Sequence, residues 1–106
     1  MTINVNYYSL SPRRVFAGTK NSFGIERLLF NFSEEWEGLE KTVVFYPREK
    51  APIHIIYRDG GVELPREVTD EVGVVEFSVL GTSDSKQLVS LTGYLDVLAS
   101  RGGETA

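Results

Sequence analysis

The chain has 106 residues, a net charge of −4, 42% hydrophobic and 25% charged residues, and no cysteine. That length holds one domain able to bury roughly two thirds of the surface its unfolded form exposes. No apolar run approaches the roughly 20 residues of a membrane-spanning helix, and Lys and Arg are scattered rather than striped, which argues against an integral membrane protein and against a nucleic-acid partner.

Lacking cysteine, the chain has no disulfide, thiolate nucleophile or thiolate metal site; its stability rests on the core, and it suits a reducing cytoplasm. Met1-Thr2-Ile3-Asn4 lacks the pattern of a secretory signal. Ile3, Val5 and Tyr7 alternate with Asn4, Asn6 and Tyr8, which predicts a short edge strand with one apolar face. Ser11-Pro12 interrupts it, because proline has no ladder donor and biases the residue before it away from helix. Val15-Phe16-Ala17 then pairs briefly, and Gly18-Thr19-Lys20-Asn21-Ser22 reads as a turn. Phe23, Ile25, Leu28, Phe30 and Phe32 follow with a change of parity between Ile25 and Leu28, which predicts a bulge or two short strands.

Phe30 and Phe32 end that strand. Ser33 is predicted to cap a single helical turn through Glu34–Glu37, with the carboxylates near its positive end and Gly38 as its left-handed exit. Trp36, the one tryptophan, and Leu39 are expected beneath this corner as its apolar lid, with Lys41 laid over the corner carboxylates. Thr42 to Tyr46, largely β-branched or aromatic, begin the next strand.

Pro47 to Pro52 is a charged loop, and Ile53, Ile55 and Tyr57 make another strand. Asp59-Gly60-Gly61 predicts a tight hairpin, with Val62 and Leu64 on the return strand. Pro65 to Glu71 reads as a helical turn serving as a crossover. Val75, Phe77 and Val79 alternate up to Gly81, Thr82 to Lys86 is a turn, and Leu88 to Leu98 is the last strand. Residues 99–106 have no apolar anchor and are expected to be a flexible tail or the start of a linker. The expectation is one all-β domain over residues 1–98: an antiparallel, immunoglobulin-like β-sandwich of seven to eight short strands.

Chemistry is sparse. Glu34, Glu35, Glu37 and Glu40 around Trp36 suggest a glycosidase pair less readily than helix-dipole and solvent partners. His54, the one histidine, has no acid partner in sequence and reads as an exposed strand residue. Neither Gly60-Gly61 nor Gly102-Gly103 lies in a calcium loop or phosphate cradle. No catalytic, cofactor or metal residue is assigned. Tyr7, Tyr8, Tyr46, Tyr57 and Tyr94 could line a sugar-binding surface, although tyrosine is also an ordinary cross-strand residue.

The pattern Phe30-x-Phe32-x-x-x-Trp36-x-Gly38-Leu39-x-Lys41-Thr42-x-x-Phe45, then a Gly-Gly hairpin, Leu64-Pro65 and Val75-x-Phe77-x-Val79-x-Gly81, resembles a small β-sandwich module. That module stands at the N-terminus of tail, tail-fibre and baseplate structural proteins of phages and prophages of Firmicutes. The likeness covers roughly residues 22 to 98, and its most specific part is the corner from Trp36 to Thr42. It implies a non-enzymatic virion part, made in the bacterial cytoplasm and placed in the tail or baseplate. Its partners would be other tail proteins or further copies of itself. The alternative is a carbohydrate-binding module recognising a host-surface glycan.

Overall fold

The computed structural model describes residues 1–99. Among these residues ten strands follow one another as β1 (Thr2–Asn6), β2 (Ser9–Ser11), β3 (Arg14–Thr19), β4 (Arg27–Phe32), β5 (Glu40–Tyr46), β6 (Ile53–Ile56), β7 (Val62–Glu63), β8 (Gly73–Thr82), β9 (Gln87–Val89) and β10 (Gly93–Leu98). Among the described residues the helical pieces are two 3₁₀ turns, Glu34–Trp36 and Arg66–Val68. One sheet has the order β2-β1-β4-β7; the other has the order β3-β10-β8-β5-β6, with β9 also on β8.

The two sheets face each other across one apolar core, as period-two burial dictates. Ile3, Val5, Leu28 and Phe30 enter it from the first sheet, and Val43, Phe45, Val75, Phe77, Val79, Leu95 and Val97 from the second. Burying each such side chain contributes about 1.5–3 kcal/mol. The rings are contiguous: Phe30 lies 6.4 Å from Phe77, which lies 6.5 Å from Phe45. Every buried side-chain polar atom among the described residues has a hydrogen-bond partner.

The sheets are mixed, not wholly antiparallel, and the strands outnumber the seven to eight expected. Two pairings are parallel, β1 with β4 and β3 with β10. Both arise because the first nineteen residues make three strands and change sheets. Tyr7-Tyr8 folds β2 back on β1, and after a cis Ser11–Pro12 bond β3 joins the other sheet. Hence β1 is an interior strand between β2 and β4, not an edge.

Other expectations also give way. Phe23 and Ile25 lie in a loop before β4, and Phe23 carries the Arg66 guanidinium 4.0 Å above its ring. Gly60-Gly61 is not a hairpin: β6 pairs with β5 and β7 with β4, so the turn carries the chain from one sheet to the other. At Gly61, with φ +86°, an added Cβ would lie 2.5 Å from the Leu28 carbonyl oxygen, so the crossing needs glycine. The span from Leu88 to Leu98 is two strands, β9 and β10. Ser90 breaks them by taking the Val79 N–H on its hydroxyl at 2.9 Å while its own N–H donates to the Val79 carbonyl at 2.9 Å. Apart from Ala99, the tail expected at 99–106 lies outside the described residues.

Candidate functional site

The corner after β4 is built as scaffold. Phe30 and Trp36 are buried, Phe32 is half-buried between them, and ring centroids step from Phe30 to Phe32 at 5.7 Å and on to Trp36 at 5.4 Å. Gly38 takes φ +78°, the left-handed exit that a residue with a Cβ adopts only at a cost. The chain then drops Leu39 into the core and enters β5, where Phe45 is buried and Thr42 half-buried. Lys41 does not cover the carboxylates: its ammonium lies 5.2 Å above the Phe32 ring, a cation–π contact. Beneath Trp36 runs Gly81 of β8, where a Cβ would come within 2.9 Å of the indole.

Ser33 does not cap the 3₁₀ turn. Its hydroxyl instead accepts the Tyr7 N–H at 2.9 Å and donates to Glu35 Oε1 at 2.6 Å. The Trp36 indole Nε1–H donates to the Tyr7 carbonyl at 2.7 Å, and the Leu91 N–H donates to the Tyr8 carbonyl at 2.8 Å. The two-residue loop between β1 and β2 is therefore pinned by three hydrogen bonds from two separate parts of the chain, the corner at Ser33 and Trp36 and the segment at Leu91. Tyr7 has φ +57°, in a loop position that usually goes to glycine or asparagine and that a bulky residue occupies only when its surroundings fix it.

The pinned loop holds Tyr7 and Tyr8 outward, 45% and 48% exposed, with rings stacked at 4.3 Å and 23°. Beside them opens a cleft of about 520 Å³ whose other walls are Glu35, Leu39 and the turn from Ser85 to Leu88. The Ser33 hydroxyl bond holds the Glu35 carboxyl below its ordinary range, so it is ionised at neutral pH.

The other tyrosines are elsewhere. Tyr57 is half-buried against Phe30, Tyr94 lies under the Arg13 guanidinium at 5.6 Å, and Tyr46 meets Ser78 on the outer sheet face. His54 is exposed on β6 opposite Val44, and Glu34, Glu37 and Glu40 are exposed. Among the described residues no group of His, Asp and Glu is arranged to hold a metal ion. Sequence reasoning missed the Tyr7–Tyr8 loop because it carries no glycine or asparagine at its centre, the usual mark of a two-residue turn. No protein-family model and no curated protein matches the chain.

Proposed function

We propose that the chain is a structural module of a phage or prophage tail or baseplate, made in the bacterial cytoplasm, that works by protein–protein contact and not by catalysis. The supporting observation is how the corner motif is spent. Phe30, Trp36, Leu39 and Phe45 go into the core, Phe32 packs half-buried against it beneath the Lys41 ammonium, Thr42 is half-buried at the start of β5, and Gly38 makes the bend. The residues that carry the resemblance to tail modules thus build a stiff unit rather than a reactive one.

The surfaces for contact are the sheet edges. β3 and β6 end the order of the larger sheet, and Phe16 on β3 and Ile56 on β6 are exposed there. Edge strands accept strands of a neighbour, and copies related by symmetry let weak contacts hold through multivalency. We assign the sandwich to the immunoglobulin-like type. The run β10-β8-β5-β6 follows the order of the last, next-to-last and two middle strands of a variable-type sheet, while the parallel β1–β4 pair is a variation on it.

The test is where the protein ends up. Particles are induced and purified from the bacterium that encodes the chain and probed by quantitative mass spectrometry. Recovery at a fixed ratio to tail proteins supports the reading. A chain that is expressed yet absent from particles and their assembly intermediates overturns it.

A further inference from the structure

We propose that the Tyr7–Tyr8 loop, with Glu35, Ser85, Lys86 and Gln87 around its cleft, is a binding site for a pyranose sugar. This does not rest on the assembly reading; the module can carry such a site whether or not it is part of a virion.

Three independent observations converge there. Tyr7 holds a backbone conformation with φ +57° that disfavours bulky side chains, in a loop whose position Ser33, Trp36 and Leu91 fix by hydrogen bonds at 2.7–2.9 Å. Such a loop loses little freedom when a ligand arrives. The two rings stack on one another, which covers one face of each, and both residues remain about half exposed beside the cleft. Third, the cleft beside the rings is edged by a carboxylate, a hydroxyl, an ammonium and an amide.

That set matches the surface of a sugar. A pyranose has a flat patch of C–H groups that packs on an aromatic face, and a rim of hydroxyls that each donate and accept. Glu35 accepts, Lys86 donates, and Ser85 and Gln87 do both, so neighbouring hydroxyls can be satisfied in several orientations. A nucleotide fits poorly. Its base would stack equally well, but its phosphate would find a single ammonium, Lys86, set against the Glu35 carboxylate with Glu34 and Glu37 close by in the chain, in a protein of net charge −4. A protein ligand anchored by a large apolar side chain would want a deep apolar pocket, whereas this cleft is open and half polar in its walls.

The experiment is a ¹⁵N-resolved NMR titration of the full chain with methyl glycosides of glucose, galactose, rhamnose and N-acetylglucosamine, one at a time. The expected result is that at least one glycoside shifts the amides of Tyr7, Tyr8, Glu35, Lys86 and Gln87 in a saturable way. Tyr8→Ala should weaken that binding at least about tenfold, which is about 1.4 kcal/mol. Tyr7→Asn, which keeps a residue tolerant of positive φ, should do the same with the rest of the spectrum unchanged. Tyr46→Ala, on the outer sheet face, should leave affinity unchanged. The proposal is overturned if no glycoside shifts those amides, if glycerol shifts them equally, if binding survives both loop variants, or if a peptide or nucleotide saturates the cleft while the glycosides do not.

Discussion

The indole Nε1–H of Trp36 donates to the carbonyl of Tyr7 at 2.7 Å, across 29 residues of sequence. The most buried aromatic of the corner and an exposed aromatic loop of the surface are therefore one construction. Core packing sets where the indole lies, the indole sets the Tyr7 carbonyl, and the loop's positive φ follows.

Trp36 is fully buried. Trp36→Ala should cost about 3–5 kcal/mol, a large share of the 5–15 kcal/mol that keeps a domain folded. Trp36→Phe separates packing from the hydrogen bond. It keeps a ring in the site but leaves the Tyr7 carbonyl without its donor, so the protein should stay folded and lose about 1–3 kcal/mol. Denaturant unfolding gives both numbers, and the amide shifts of Tyr7 and Tyr8 should move in Trp36→Phe while those of β6 stay in place.

Tyr57→Phe should be more costly than Tyr46→Phe, although both remove a single phenolic oxygen. β7 pairs with β4 only at Arg27 and Leu28, so the Phe30 N–H further along has no strand to meet, and the Tyr57 hydroxyl accepts it at 3.0 Å. Without that oxygen a half-buried N–H loses its partner, at about 1–3 kcal/mol. Tyr46 is 45% exposed and its hydroxyl meets only the Ser78 hydroxyl, at 3.2 Å, a rotor that can turn to another partner, so its loss should cost less. Side-by-side urea melts of the two variants measure the difference.

Gly81→Ala should destabilise by about 1–3 kcal/mol through overpacking, because the new methyl would lie 2.9 Å from the indole and 3.0 Å from Leu39 Cδ1. Combining it with Trp36→Phe should recover part of the loss, since the smaller ring leaves room. Thermal melts of the single and double variants read this directly.

Acid should loosen the β3 edge before the rest of the sheet. Arg14 holds Asp96 through two hydrogen bonds, Nε to Oδ2 at 2.7 Å and Nη2 to Oδ1 at 2.6 Å, and the bond to Arg14 holds the Asp96 carboxyl below its ordinary range. A carboxylate whose folded pKa is depressed stabilises fully above its unfolded pKa of about 3.9 and loses that contribution as pH falls through the lower folded value. Hydrogen exchange, corrected for intrinsic rates, should show protection of β3 falling below about pH 4. In Asp96→Asn that protection should start lower and lack this acid step.

How much of this was legible in the sequence depended on whether the deciding interaction was local. The strand from Leu28 to Phe32, the corner glycine at Gly38 and the end of alternation at Gly81 all carry their reasons in their own neighbourhoods. The Gly60-Gly61 turn has hairpin chemistry, yet which sheet receives the next strand is decided by the Leu28–Val62 pairing, which no turn residue encodes. Ser33 looks like a helix cap because of the glutamates after it, but the Tyr7 N–H competes for its hydroxyl from 26 residues away. The tyrosine loop was hidden for the same reason. Its positive φ is imposed from outside, by partners at Ser33, Trp36 and Leu91, and not written in its own residues.

Function by contact through the sheet edges is tested most directly by blocking them. Phe16→Lys and Ile56→Lys place a charge at an exposed position on each outer strand, the device by which natural edges refuse partners. Both sites are open to water, so the double variant should fold with stability within about 1 kcal/mol of the parent. The measurement is its share in purified particles when it is co-expressed with an equal amount of the unaltered chain. Near-exclusion of the variant is the expected result. Equal incorporation of the two chains would contradict assembly through these edges.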